Sequence, residues 1–180
     1  MFVIYNFFLS LIIFISPLII LIRIFLGKED QNRFKEKYGF LAKNNNSNEV
    51  VWIHGASVGE ILSIIPIIKK FEKDKKIKRI LITSSTTSSS QILSKFRFKK
   101  TIHQFYPFDL NFLTKHFINH WKPKLAIFVD SEIWPNMFNN LHKQNIPLIL
   151  LNGRITKKSF NRWKLFPNFS KKIFQKITLA

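Results

Sequence analysis

The 180-residue chain carries 29 Lys and Arg against 10 Asp and Glu, a formal net charge of +19, and no cysteine. That length suits one ordinary domain with a substantial core, and the lack of cysteine excludes disulfides and thiolate metal sites and fits a reducing compartment. So large an excess of cations favours anionic partners such as nucleic acid, acidic lipid headgroups or phosphorylated substrates, although heavy use of Lys, Asn, Ile and Phe accounts for part of it.

Residues 1–22 contain no charged side chain. As a helix, Phe2 to Ile22 would extend roughly 31 Å at about 1.5 Å per residue, enough to cross a bilayer core. No basic residue precedes the run and no small-x-small site ends it, which argues against a signal peptide. Pro17 need not break such a helix in a membrane. Arg23, Lys28, Arg33, Lys35 and Lys37 follow the span, so the positive-inside rule places the body of the protein in the cytoplasm. The expectation is a single transmembrane helix within an anchor over residues 1–26. A polar linker over 27–49 follows, ending in the Asn-rich run Lys43 to Asn48.

Beyond the linker, short apolar runs alternate with helical periodicity. The pattern predicts strands at Val50–His54, Arg79–Thr83, Thr101–Tyr106, Leu125–Asp130 and Pro147–Leu151, and helices at Glu60–Lys70, Ser89–Phe96, Asn111–Trp121 and Pro135–Lys143. Continuous apolar strands alternating with helices give an α/β, Rossmann-like domain with a parallel sheet covered on both faces. No GxGxxG or Walker motif is present, so a dinucleotide site of the usual kind is not supported. The five histidines, His54, His103, His116, His120 and His142, show no HExxH or other tight metal spacing, and no metal or other cofactor is expected.

The segment Trp52-Ile53-His54-Gly55-Ala56-Ser57-Val58-Gly59-Glu60 places a carboxylate between the end of a strand and the start of a helix. In open α/β sheets that crevice is where ligands bind. The positive end of the helix dipole would keep the Glu60 carboxylate ionised and able to accept a proton. An acidic residue in a first turn also occurs simply because it suits the dipole. Residues 69–100 carry eleven Lys and Arg against Glu72 and Asp74, mostly as solvated faces. The run Thr83–Ser90 offers hydroxyls and N–H groups at another strand-to-helix turn, either as a polar site or as an ordinary N-cap cluster. From Arg154 to Lys176 there are eight basic residues and no acid, interleaved with Phe160, Trp163, Phe166, Phe169 and Phe174. Such a tail suits stacking on nucleic acid or a membrane interface, and the apolar N-terminal run favours the membrane.

The block Val51-Trp52-Ile53-His54-Gly55-Ala56-Ser57-Val58-Gly59-Glu60 resembles the signature segment of the 3-deoxy-D-manno-octulosonic acid (Kdo) transferases of lipopolysaccharide biosynthesis. Four more stretches resemble the same family in the same order: Ile82-Thr83-Ser84-Ser85-Thr86-Thr87-Ser88, Tyr106-Pro107-Phe108-Asp109, Asp130-Ser131-Glu132-Ile133-Trp134-Pro135-Asn136 and Asn152-Gly153-Arg154-Ile155. The resemblance implies a membrane-associated, inverting glycosyltransferase with a GT-B fold, which transfers Kdo from CMP-Kdo to the lipid A precursor lipid IVA without a catalytic metal. It implies that Glu60 is the general base and that Glu132 organises the transition state or the acceptor. Ser57, Gly59, Thr83, Ser84 and Arg154 are the expected substrate contacts. It further implies an enzyme on the cytoplasmic face of the cell inner membrane, in contact with anionic lipids, with no nucleic acid partner.

Members of this family have a second Rossmann-like domain holding most donor contacts. Residues 50–180 correspond to an incomplete acceptor-side domain, with the C-terminal donor domain absent from this chain. The 180 residues alone are therefore expected to be inactive. Two other readings compete. One is a membrane-tethered basic binding module for acidic lipid or nucleic acid, whose signature would be a steep salt dependence. The other is a different membrane-bound GT-B enzyme, distinguished by its nucleotide sugar.

Overall fold

The computed structural model describes residues 1–42 and 49–180; the Asn-rich run Lys43 to Asn48 lies outside the described residues. Five strands, β1 (Val50–His54), β2 (Arg79–Ser84), β3 (Thr101–Phe105), β4 (Pro123–Val129) and β5 (Leu148–Leu151), form one sheet. All neighbours pair in parallel, in the order β3-β2-β1-β4-β5. Between them run α2 (Val58–Lys73), α3 (Thr87–Ser94), α4 (Asn111–Trp121) and α5 (Pro135–Lys143), each an obligatory crossover because parallel strands cannot be joined by a tight turn. The chain enters the sheet at β1, steps outward to β3, then returns to the other side of β1 as β4. The strand order therefore reverses between β1 and β4, the point where open α/β sheets take their ligands.

Alternation along the central strands sorts the core into two chemically different layers. Ile53, Ile82 and Ile127 point to one face and pack with Ile61, Ile64 and Ile68 of α2. Trp52, Leu81 and Phe128 point to the other, against Phe117 and Trp121 of α4 and Phe138 of α5. Stiff β-branched side chains make up the layer under α2, while aromatic rings dominate the layer opposite. Trp52 lies 4.9 Å from Phe117 and 5.0 Å from Phe128, ring centre to ring centre.

The four helices predicted between strands are present, with α4 and α5 at the expected bounds and α2 and α3 starting two residues earlier. Two short helices not expected, α6 (Lys157–Lys164) and α7 (Pro167–Phe174), occupy the basic, aromatic C-terminal stretch. Phe169 and Ile173 of α7 are buried in the aromatic layer. Beyond α7, Leu150 donates its N–H to the carbonyl of Leu179 at 2.8 Å, so residues 178–179 run beside the β5 edge.

The opposite edge, β3, is covered by residues 28–42, the polar segment between the apolar helix and the sheet. A 3-10 turn at Phe34–Tyr38 carries the contacts. Arg33 grips Glu36 with two bonds, at 2.7 and 3.0 Å, and donates to the carbonyl of His103 at 2.9 Å. Glu36 in turn accepts the backbone N–H of Phe105 at 2.7 Å. An edge strand otherwise exposes unpaired N–H and C=O groups, and here an ion pair supplies partners for both kinds. Burial, and then the nearby Arg33 cation, push the His103 imidazole down to about 3, so it remains neutral beneath the pair.

Helix α1 (Phe2–Phe25) is long and apolar enough to cross a membrane by length and composition. It also rests on the body over most of its length. Phe2 meets Phe169 edge-on at 5.1 Å, the Tyr5 hydroxyl donates to Asp109 at 2.8 Å, and Asn6 accepts from Asn136 at 2.8 Å. Farther along, Ser16 and Tyr38 share a bond of 2.7 Å and Ile20 is buried. Asp109 joins three elements. Following β3, it accepts the first free N–H groups of α5, from Asn136 at 3.0 Å and Met137 at 2.8 Å, besides the Tyr5 hydroxyl. Orphan donors at a helix start are the natural partners of a carboxylate. Burial pushes the Asp109 carboxyl up to about 7, against the opposing pull of the Asn136, Tyr5 and Met137 donors.

Two expected outcomes follow from these polar clusters. Arg33→Ala, which strips the β3 edge of its cover, is expected to cost about 2 kcal/mol, seen as a Tm lowered by roughly 4–8 °C. Asp109 titrates higher in the folded chain than the ~3.9 of an unfolded one. The folded state then binds more protons between the two values, so this contribution to stability is full below about pH 4 and is lost as pH rises through about 7. Thermal melts from pH 4 to 8 are expected to show that decline in the native chain and a flatter profile in Asp109→Asn.

Candidate functional site

The ends of β1 and β4 lie side by side, with His54 in register with Phe128. Glu60 follows β1. The turn between them is closed by Gly55, whose N–H reaches the carbonyl of Thr83 at 3.1 Å. A side chain on Gly55 would meet Glu60 Cβ at 3.1 Å and Ile61 Cδ1 at 3.5 Å, so the absence of one lets the first turn of α2 fold back over the strand end without displacing Glu60.

Ser57 is the N-cap of α2 and accepts the N–H of Glu60 at 3.3 Å. Glu60 returns the favour, taking the Ser57 hydroxyl on Oε1 and the Ala56 N–H on Oε2, each at 2.7 Å. This is a variant of the capping box, in which the acid at the third helical position takes the N–H of Ala56, one residue before the N-cap. The arrangement fixes the carboxylate in direction at the positive end of the helix. Two of roughly four lone-pair directions are occupied, leaving acceptor capacity on a half-exposed group. Gly59 stands exposed beside it, with no atom nearer than 4.0 Å to an added Cβ, so the approach over the first turn is open.

Glu132 follows β4 across the gap. Its Oε2 accepts Nε2–H of His54 at 3.3 Å and the indole N–H of Trp134 at 2.9 Å. Burial alone would raise the Glu132 carboxyl, but the bond and charge of His54 and the bond from Trp134 hold it below the usual carboxylate range. His54 is wholly buried, its ring 4.0 Å from that of Tyr106 and tilted 32° to it, and its Nδ1 faces the Thr83 hydroxyl at 2.9 Å. The same hydroxyl accepts the indole N–H of Trp52 at 2.9 Å. A buried polar chain thus runs from Trp52 through Thr83 and His54 to Glu132 and Trp134, crossing the switch point beneath the surface.

The sequence-derived residues therefore fall into two groups. Ser57, Gly59, Glu60 and Glu132 gather at the β1 and β4 ends, and Arg154 stands exposed near them, its carbonyl accepting the Ser131 hydroxyl at 2.7 Å. Thr83 and Ser84 lie at the same sheet edge but are fully buried; Ser84 bonds Nε2 of His103 at 2.8 Å. Their hydroxyls are engaged by the buried imidazoles of His54 and His103. Within the rest of the Ser/Thr run, Thr86 caps α3 by accepting the Ser89 N–H at 3.2 Å.

Sharp chain exits shape the rim. Asp130 and Asn152, just past β4 and β5, both adopt left-handed backbone, φ 56° and 55°, which Asp and Asn tolerate better than most residues. They bond to each other at 2.5 Å and hold the two loops together. His54 and Asp109 were unassigned by sequence reasoning. The available signal was their position, each closing or just following a strand at the edge that carries Glu60. Among the described residues no three His, Asp or Glu side chains converge as a metal site.

The family model described as 3-Deoxy-D-manno-octulosonic-acid transferase (kdotransferase) matches residues 32–180. A 3-deoxy-D-manno-octulosonic acid transferase of Rickettsia bellii is 39% identical over 179 residues, covering 95% of this chain and 43% of that protein. The transferase of the same description from Haemophilus influenzae is 30% identical over 161 residues, 87% of this chain and 38% of its own length. A probable mitochondrial 3-deoxy-D-manno-octulosonic acid transferase of Arabidopsis thaliana is 33% identical over 163 residues, 89% of this chain and 36% of that protein. The chain spans less than half the length of these curated relatives. With the family model matching from just before the 3-10 turn through α7, and with both carboxylates at the switch point of the sheet, the chain belongs to the Kdo transferase family of glycosyltransferases.

Proposed function

We propose that the protein transfers Kdo from CMP-Kdo to the lipid A precursor lipid IVA, with Glu60 as general base and this chain as the acceptor-side part of an inverting GT-B enzyme. The observation that supports the reading is the Gly55–Glu60 turn, which holds a partly exposed carboxylate at the ligand edge of the sheet. In the reaction the acceptor hydroxyl gives its proton to Glu60 as its oxygen bonds to the anomeric carbon of Kdo. The bond from that carbon to the CMP phosphate breaks, and its electron pair leaves with the phosphate. Glu132, kept ionised by His54 and Trp134, stabilises positive charge growing on the sugar or orients the acceptor. Thr83 and Ser84 serve from below, by fixing His54 and His103. Ser57, Gly59 and Arg154 line the approach, Arg154 meeting an anionic group.

The membrane belongs to the same proposal. The acceptor is anionic and lipidic, and the chain offers a strongly basic body with an exposed apolar helix. A helix crossing the cytoplasmic membrane would carry Tyr5 some 27 Å from Arg23, yet Tyr5 and Asn6 are bonded to the body. The geometry favours α1 lying along the cytoplasmic face of the inner membrane, with its outer side, Val3, Phe14 and Phe25, in the acyl region. A cysteine added directly before Met1 is expected to resist an impermeant maleimide applied to spheroplasts and to react after permeabilisation; reaction before permeabilisation would show a crossing helix.

Substitutions at Glu60 separate base from cap. Glu60→Gln keeps one amide oxygen to accept the Ala56 N–H and an NH2 that donates to the Ser57 hydroxyl, but no basicity. In the longest native form of the enzyme it is expected to lower kcat by about 10²–10⁴-fold with Tm unchanged. Glu60→Ala is expected to be as inactive and to lose about 1 kcal/mol of stability with the cap. Near-native turnover by the Gln variant would reduce Glu60 to a capping residue.

A further inference from the structure

An apolar groove of about 550 Å³ lies between the first two turns of α1 and the helix α6, within the usual range of ligand sites, about 300–1,000 Å³. Ile4 and Phe8 line it from α1, Trp163 and Phe166 from the other side, and Ile133 and Trp134 from the loop after β4. Of its few polar groups, the Tyr5 hydroxyl is already committed to Asp109 at 2.8 Å. That leaves Ser159 and Arg162, both of α6. Among the described residues Arg162 has no carboxylate partner. The stretch Lys157–Phe174 adds five lysines, Lys157, Lys158, Lys164, Lys171 and Lys172, and no acid.

Three features select the occupant. The walls are aliphatic and aromatic, which suits a hydrocarbon chain rather than a sugar or nucleotide. The surrounding charge is of one sign, which suits an anionic head. The groove is also continuous with the reaction site, because Ile133 and Trp134 directly follow Glu132 and Trp134 bonds the Glu132 carboxylate. A molecule with its tail in this groove leaves its head at the ends of β4 and β1. We infer that the groove holds one acyl chain of the anionic lipid acceptor, with Arg162 beside it meeting an acidic group of the head. The inference rests on the acceptor reading above and gives α1 and α6 a part in it: together they form the walls that grip the tail.

The test uses lipid IVA carrying a photoreactive diazirine at the end of one acyl chain, offered in neutral detergent micelles to the purified chain. Labelling is expected to map to residues 1–8 and 157–166, to be competed by plain lipid IVA, and to fall at least tenfold in Ser159→Trp, whose indole fills the groove. Mapping in the unsubstituted chain decides the matter even if that variant fails to fold. Label spread over the outer face of α1, at Phe14 and Leu18, would overturn the inference. So would equal competition by phosphatidylglycerol, which would make the groove a site for bulk anionic lipid, or by phosphatidylcholine, which would show apolar adhesion alone. The two readings fail separately. An active Glu60→Gln enzyme leaves the labelling intact, whereas absent labelling with an inactive Glu60→Gln enzyme removes the groove and leaves the transfer reaction.

Discussion

The hydrogen bond between His54 and Glu132 joins the end of β1 to the loop after β4, and the layout of the site depends on it. These two strands pair through their backbones as far as His54 and Phe128 and then diverge, one leading outward through α2 and the other onward to α5. A buried imidazole ties their ends from beneath. It takes its own position from Thr83 on β2, which is in register with it. Three parallel strands already paired through their backbones as far as Thr83, His54 and Phe128 are thereby tied together again at their ligand edge by a run of polar atoms inside an aromatic layer. Such a network specifies one arrangement strongly, because in a low-dielectric interior each unmet partner is costly.

Above that network the two carboxylates are treated differently. Glu132 is partly buried and held by an imidazole and an indole, which keeps it charged and stationary. Glu60 is held only by a neighbouring N–H and a serine hydroxyl, at a turn that glycine keeps tight. The capping box and the catalytic proposal are compatible, since a base must be oriented before it is useful and the cap supplies the orientation. Around this centre the edges of the sheet are closed by polar or main-chain partners, from Arg33 and Glu36 on one side and residues 178–179 on the other. The apolar helix is anchored through Tyr5 to Asp109, between β3 and α4, and through Asn6 to Asn136 in the first turn of α5.

Much of this was legible in the sequence because it is periodic. Continuous Ile- and Val-rich runs mark the strands, and the Ile61, Ile64, Ile65, Ile68 spacing marks the buried side of α2. The Glu60 turn stood out through its flanking glycines. What the sequence hid depends on partners distant in the chain. Asp109 meets Tyr5 across 104 positions and Arg33 meets His103 across 70, and no local pattern announces either. Thr83 and Ser84 read as the start of a hydroxyl-rich strand-to-helix turn, yet as the last residues of β2 they are fully buried. The helices α6 and α7 are eight residues each, too short for periodicity to separate them from an interfacial tail. Pro167 at the start of α7 was the available signal.

The central claim is that Glu60 faces the attacking hydroxyl, and a structure of the longest native form with lipid IVA and an unreactive donor analogue tests it most directly. The account predicts the acceptor hydroxyl within about 2.6–3.2 Å of a Glu60 carboxylate oxygen, with Glu60 still bonded to Ala56. An acceptor bound with its sugar hydroxyl facing another side chain, and Glu60 closed only on Ala56 and Ser57, would contradict it.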